Sequence, residues 1–155
     1  MSNWMRIGRT GPFLVLRNLR QRIKVECFYR GQPTDFDSSI ALAEMGTVQL
    51  ELIQQHTDCP SVFREIVGPG EIGFHHIGVW AEEYEASYAQ LQAQGSVAAL
   101  EGTFGGSRFA YFDFVSSLGC MLELTERTEA QRTLYQRVAD IAKDWDGSDP
   151  IRPMM

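Results

Sequence analysis

Four acidic and imidazole side chains have the types and surroundings needed to bind a divalent metal ion. His75 and His76 are adjacent at the start of an apolar, aromatic-rich segment, and Glu51 and Glu123 each interrupt an apolar run in the same triplet, Leu-Glu-Leu. Neutral imidazole and carboxylate together suit zinc, manganese, iron or nickel. The residue types therefore predict a metal site made of one histidine and two acids.

The surrounding elements must bring these side chains to one face. Neighbouring side chains on a strand point to opposite faces, so we expect one of His75 and His76 to point inward and the other away. A carboxylate within a buried strand is costly unless it is paired or binds a cation. The two glutamates lie 72 residues apart (123 minus 51), which indicates a duplicated unit. The alternatives are a solvent-facing strand position for each glutamate and an ordinary core or surface position for the histidines.

Four segments follow one another in a recognisable order. They are His-His-Ile-Gly-Val, an acidic amphipathic helix that ends in glycine, Gly-Gly-Ser-Arg-Phe-Ala-Tyr-Phe-Asp-Phe, and Gly-Cys-Met-Leu-Glu-Leu. This order resembles the second module of the vicinal oxygen chelate superfamily, which includes glyoxalase I, methylmalonyl-CoA epimerase, extradiol dioxygenases and bleomycin-resistance proteins. The resemblance covers residues 11–127 and is closest to the glyoxalase and epimerase branch.

The resemblance implies an α+β fold of paired βαβββ modules that form curved half-barrel sheets. Members carry a metal ligand on the first and last strand of each module, which by position implies Glu51, His76 and Glu123 as ligands here; the fourth ligand has no match. A strand at Pro12–Leu16 comes so early that the first module is expected to lack its opening strand and most of its helix, or to begin upstream.

The expected domain organisation has four parts: an incomplete first module at 1–67, a linker at 68–70, a second module at 71–127, and a C-terminal amphipathic helix with its tail at 128–155. Further predictions concern single elements. We expect successive antiparallel strands at Lys24–Tyr29, Ser38–Met45 and Thr47–Gln54, loops at Arg30–Asp35 and Gly102–Gly106, and helices at Thr57–Gly68, at Glu82–Gln94 and from Thr128 to Trp145.

The composition excludes several classes of function. A formal net charge of -6 and a pI near 5.0 argue against sequence-independent nucleic-acid binding, which needs a basic surface. No apolar run reaches the about 18 residues of a membrane span, and the N-terminus lacks a secretory pattern, so we expect a cytoplasmic protein with no membrane partner. The three cysteines are scattered and odd in number, which favours free thiols.

The function implied by the resemblance is that of a divalent-metal-dependent isomerase, epimerase or lyase of the glyoxalase type. It would act on a small carbonyl compound or acyl thioester through an enolate-like intermediate, with zinc, manganese, nickel, cobalt or iron as cofactor and Glu51 or Glu123 as general base. From the residues themselves, Arg108 or Tyr111, after a glycine-rich segment, are candidates to contact a substrate oxygen. A plain hairpin is the alternative for that segment.

Two other functions stay open. One is a metal-free protein of the bleomycin-resistance type, which would sequester a hydrophobic or aromatic ligand; the absent fourth ligand and the abundant aromatic residues favour it. The other is an incomplete module that completes its barrel only with another chain, because an unpaired sheet edge invites strand exchange. All three functions predict an oligomer, most simply a homodimer.

Overall fold

The fold is α+β, with its strands arranged in two sheets. The computed structural model describes residues 15–17, 27–35, 37–143, 145–149 and 151–153, with the backbone alone at 15–17 and 152–153. The strands are β1 (Val15–Arg17), β2 (Cys27–Tyr29), β3 (Gln32–Thr34), β4 (Ser38–Met45), β5 (Val48–Gln55), β6 (His76–Ala81), β7 (Ala98–Phe104), β8 (Ser107–Phe114), β9 (Cys120–Glu126) and β10 (Ile151–Pro153). The helices are a 3-10 turn (Phe63–Glu65), α1 (Tyr84–Ala93), α2 (Val115–Leu118) and α3 (Glu129–Lys143).

The chain divides into two compact units, each with its own sheet. The first unit holds the sheet β10-β1-β4-β5, and the second holds the sheet β3-β2-β7-β8-β9-β6. The predicted module boundary at 68–70 stays a prediction. In the part of the chain that the structure describes, no helix is long and apolar enough to cross a membrane.

The second unit contains the predicted βαβββ order, β6-α1-β7-β8-β9. Strand β6 pairs in parallel with β9, and the other neighbouring strands of this sheet are antiparallel. One face of the sheet packs against α1 through a buried cluster, which includes Tyr84, Phe112 and Leu124. The opposite face buries a second cluster around Tyr111 and Met121. The sheet thus has a helix-covered face and a second face on which other side chains can meet.

The first unit is organised around the β4–β5 hairpin. Leu42 of β4 packs against Val138 of α3, whose partly buried neighbours include Ile141 and Trp145. This confirms the apolar stripe that the sequence predicted for the C-terminal helix. At the N-terminus of α3, the backbone N–H of Gln131 donates to Thr128 Oγ1 at 3.2 Å, which caps the helix as expected.

Two segments predicted as loops are hairpins. Residues 30–35 contain β3, and residues 102–104 belong to β7, so the strands continue up to two-residue turns. Arg30 and Gly31 have φ of 47° and 76°, and Gly105 and Gly106 have 57° and 84°. Positive φ at both turn residues matches the twist of paired strands. The glycine-rich composition therefore marks a tight turn rather than a long loop.

Two other predictions are wrong for reasons of packing. Only the 3-10 turn forms within Thr57–Gly68, because Val62 is fully buried and Phe63 packs on the same cluster of the second sheet. The strands predicted as one antiparallel succession are split, since β2 pairs with β7 of the second sheet. Residues 1–14 and 18–26, on which the missing strand and helix of the first module depend, lie outside the described residues.

Candidate metal centre

The parallel pairing of β6 with β9 places a histidine beside a glutamate. Gly78 lies opposite Glu123 in the register, and His76 precedes Gly78 by two residues and so shares its face. His76 Nε2 lies 3.5 Å from Glu123 Oε2, and the two side chains are 10% and 17% exposed. Two of the three predicted ligands, His76 and Glu123, therefore lie next to each other within the second unit and are largely shielded from water.

Gly78 leaves the space that the Glu123 carboxylate occupies. A Cβ atom at residue 78 would lie 3.3 Å from Glu123 Oε2, closer than nine in ten Cβ contacts in proteins. Gly78 is not among the residues with positive φ, so close approach rather than backbone conformation is what favours glycine here. Gly78 was not among the residues predicted for the site; a glycine two positions after a candidate ligand on a strand is the signal that could have indicated it.

His75 belongs to the same cluster as His76. Strand β6 begins at His76, so the alternation of faces does not extend to His75, and the expectation that one ring points away is wrong. The Nδ1 atoms of the two rings lie 3.2 Å apart. His75 Nε2 lies 3.1 Å from the carbonyl oxygen of Val62. The pair is thus anchored to the buried backbone of the segment before β6.

Aromatic rings lie against the two histidines. Tyr111 is 3% exposed, and its ring centroid lies 5.2 Å from that of His76 and 5.8 Å from that of His75. The ring of Phe63 lies 4.9 Å from His75 and 5.6 Å from Tyr111. Such apolar surroundings strengthen the electrostatic interaction between the imidazole of His76 and a neighbouring charge.

Arg108 lies on the other face of the second sheet from Tyr111, because the two residues are three positions apart on β8 and successive side chains alternate between faces. Its guanidinium donates to the Glu126 carboxylate at 2.8 and 3.0 Å and also pairs with Glu85. It lies 4.4 Å from the centroid of the Tyr84 ring. Hydrogen bonding to Arg108 lowers the pKa of Glu126. These contacts fasten α1 to the sheet.

The third predicted ligand, Glu51, lies on β5 of the first sheet and is half-buried. It stands opposite Leu42 in the antiparallel register, and residues opposed in this way share a face. Leu50 and Leu52 pack on the other face with the buried alanines of β4. The Leu-Glu-Leu triplet therefore divides its leucines and its glutamate between two faces.

The donor set suits a divalent ion. Within the second unit, the half-buried His76 and Glu123 offer one imidazole and one carboxylate; Glu51, in the first unit, stays a predicted third ligand. One neutral imidazole and two carboxylates carry a charge of about -2, which a divalent ion neutralises.

Comparison with known proteins gives one family match. A family model described as Glyoxalase/Bleomycin resistance protein/Dioxygenase superfamily matches residues 6–112, well over half of the chain. No curated protein matches. Among solved structures, the chain is similar to hypothetical protein BH1468 from Bacillus halodurans C-125, at 20% identity over 69% of this chain and 79% of that chain, with a TM-score of 0.45.

Two further solved structures are similar to parts of the chain. SMU.1112c shares 26% identity over 57% of this chain and 70% of that chain, with a TM-score of 0.34. The glyoxalase family protein APC24694 from Bacillus cereus shares 16% identity over 72% of this chain and 78% of that chain, with a TM-score of 0.33.

Proposed function

The chain belongs to the glyoxalase/bleomycin resistance protein/dioxygenase superfamily, and from this premise we propose that it is a divalent-metal-dependent isomerase, epimerase or lyase of the glyoxalase type. Its substrate would be a small carbonyl compound or acyl thioester that reacts through an enolate-like intermediate. The observation that carries the proposal is the separation of 3.5 Å between His76 Nε2 and Glu123 Oε2. Two ligand atoms, each about 2.1 Å from a tetrahedral ion, are about 3.4 Å apart.

Glu51 is the third ligand in this proposal. Glu51 and Glu123 each stand in the middle of a Leu-Glu-Leu triplet. In both strands a leucine next to the glutamate packs on the opposite face of the sheet. A half-buried carboxylate on a strand can be compensated by hydrogen bonds, by ion pairing or by a bound cation, and the last of these is proposed here. The match between the charge of the three side chains and that of a divalent ion supports the same conclusion. Three protein ligands leave positions open for a substrate.

The proposed roles divide between binding and proton transfer. A divalent ion, when bound, stabilises negative charge that develops on a substrate oxygen. Glu51 or Glu123 accepts the proton from the carbon beside the carbonyl group, because a carboxylate near that carbon is a suitable general base. Tyr111 is proposed to contact a substrate oxygen, as its ring lies beside His76. Arg108, on the helix-covered face, is proposed to hold α1 in place instead.

The first test is the metal content of protein purified without chelator or affinity-tag metals, by elemental analysis. The wild type is compared with a double variant, His76→Ala with Glu123→Ala. A matched control replaces a histidine and a strand glutamate elsewhere, His56→Ala with Glu101→Ala, whose native partners are Ser39 and Tyr88. We expect about one divalent ion per chain in the wild type and the control, and none in the double variant.

A second measurement tests the chemistry. Metal-loaded wild type is incubated in D2O with a panel of hydroxy-carbonyl compounds and acyl thioesters, and exchange of the proton next to the carbonyl group is followed by NMR. Exchange that disappears in the double variant supports enolate-type catalysis. No metal in any sample, even after reconstitution, would overturn the proposal. That result would favour a metal-free, ligand-sequestering protein, to be tested by binding of aromatic ligands.

A further inference from the structure

Three groups form a chain of hydrogen bonds that leads from buried backbone to the candidate metal centre. The carbonyl oxygen of Val62 lies 3.1 Å from His75 Nε2, and His75 Nδ1 lies 3.2 Å from His76 Nδ1. His76 Nε2 in turn faces Glu123 Oε2 at 3.5 Å. Each imidazole is therefore contacted at both of its nitrogens, and these contacts determine which nitrogen carries the proton.

The carbonyl group determines which atom donates and which accepts in each of these hydrogen bonds. A backbone carbonyl only accepts hydrogen bonds, so His75 Nε2 must carry the proton. The Nδ1 atom of neutral His75 then has a lone pair and accepts. His76 Nδ1 must therefore donate, and the lone pair of neutral His76 lies on Nε2. Because this lone pair faces the Glu123 carboxylate, a positive charge between the two atoms is strongly favoured.

We propose that His75 is a positioning residue: it fixes His76 as the Nδ1–H tautomer, so that Nε2 is the nitrogen presented to a divalent cation together with Glu123. The identity of that cation rests on the proposed function. The assignment of the protons rests on the hydrogen bonds alone. His75 does not bind the ion itself in this proposal, because its Nε2 proton is held by Val62.

Packing holds His75 in the orientation that this role needs. Val62 is fully buried, and the backbone N–H of Met121 donates to the His75 carbonyl oxygen at 2.8 Å. The rings of Phe63 and Tyr111 lie within 4.9 and 5.8 Å of the His75 ring. Hydrogen-bond partners of this kind typically change metal affinity by about 10- to 100-fold when they are removed.

Two substitutions separate the hydrogen bond from the packing. His75→Phe keeps a ring of similar size and removes the acceptor at the Nδ1 position. His75→Asn keeps an acceptor, since the side-chain oxygen of asparagine is attached at the same point of the chain as Nδ1. If the acceptor matters, asparagine should retain the wild-type behaviour and phenylalanine should not.

The decisive measurement is the tautomer of His76 in metal-free, 15N-labelled protein, by long-range 1H–15N correlation at alkaline pH, where imidazoles are neutral. We expect Nδ1–H in the wild type and in His75→Asn. In His75→Phe we expect Nε2–H, because the Glu123 carboxylate then attracts the proton. Calorimetric titration with Zn2+ should show affinity at least about 10-fold weaker for His75→Phe than for the wild type.

The outcomes separate the inference from the proposed function. An Nε2–H tautomer in the wild type, or the same His76 tautomer in all three proteins, overturns the inference. The expected tautomers with unchanged zinc affinity in His75→Phe overturn the claim that His75 positions His76 for a metal. The expected tautomers in a protein that binds no metal overturn the proposed function, while they support the proton assignment.

Discussion

Replacing Gly78 by alanine adds one methyl group beside the carboxylate of Glu123. The new Cβ atom would lie 3.3 Å from Glu123 Oε2, so the carboxylate must move by a few tenths of an ångström. Metal–ligand distances tolerate changes of only about 0.2 Å. We therefore expect Gly78→Ala to weaken binding of a divalent ion about tenfold, which corresponds to about 1.4 kcal/mol.

The same substitution should not destabilise the fold. Gly78 is not among the residues with positive φ, so alanine can adopt its backbone conformation. Replacing glycine at such a position reduces the entropy of the unfolded chain and typically raises the free energy of unfolding by about 0.4–1 kcal/mol. Metal affinity and stability are thus expected to change in opposite directions, which separates an effect on the site from general damage.

Zinc affinity is measured by calorimetry on chelator-treated protein, and the free energy of unfolding by urea denaturation of the metal-free protein. Val79→Ala is the matched control, because Val79 is on the same strand, on the other face, and 38% exposed. It should leave zinc affinity unchanged. A zinc affinity of Gly78→Ala within about twofold of the wild type would refute the reasoning that Glu123 binds the ion from its observed position. Equal losses in both variants would refute it too.

Two more predictions concern other parts of the second unit. Arg108 holds the pKa of Glu126 below its ordinary value of 4.5, so this pair stabilises the fold above about pH 4.5 and ceases to do so as the pH falls through the folded-state pKa. The free energy of unfolding of Arg108→Met should therefore fall less in acid than that of the wild type. Urea unfolding of both proteins at a series of pH values measures this difference, and an equal fall would contradict the prediction. Burial raises the pKa of Cys27 to about 11, and Cys120 is also buried. A thiol reagent at about pH 8 should modify Cys59 alone in the folded protein and all three cysteines after unfolding; rapid reaction of a second thiol would count against it.

The pattern of apolar residues predicted the strands and helices in which apolar contacts recur at regular positions along the sequence. The strands at Ser38–Met45 and Thr47–Gln54 form within one residue of their predicted ends, and the helix predicted at Glu82–Gln94 forms at Tyr84–Ala93. In these segments the apolar pattern matches the contacts of the fold, since Leu50 and Leu52 share one packed face of β5, and Tyr84 and Leu91 of α1 pack in one cluster. Within Thr57–Gly68 it does not, because contacts with the second sheet hold the segment in a short turn.

By itself, the sequence determined the chemical types at the candidate site. The Leu-Glu-Leu triplets and the two adjacent histidines specified carboxylate and imidazole, and strand alternation placed Glu51 and Glu123 on the faces away from their leucines. These are local properties, since the side-chain direction on a strand depends only on position along it.

Only the tertiary structure decided how these groups meet. The parallel register of β6 with β9 pairs Gly78 with Glu123 and brings His76 to its carboxylate, and the buried carbonyl of Val62 determines the hydrogen bonding of His75. These contacts join residues far apart in the chain. A single sequence carries no periodic signal for register between distant strands, because register is selected by the burial and pairing of whole faces once the sheet forms.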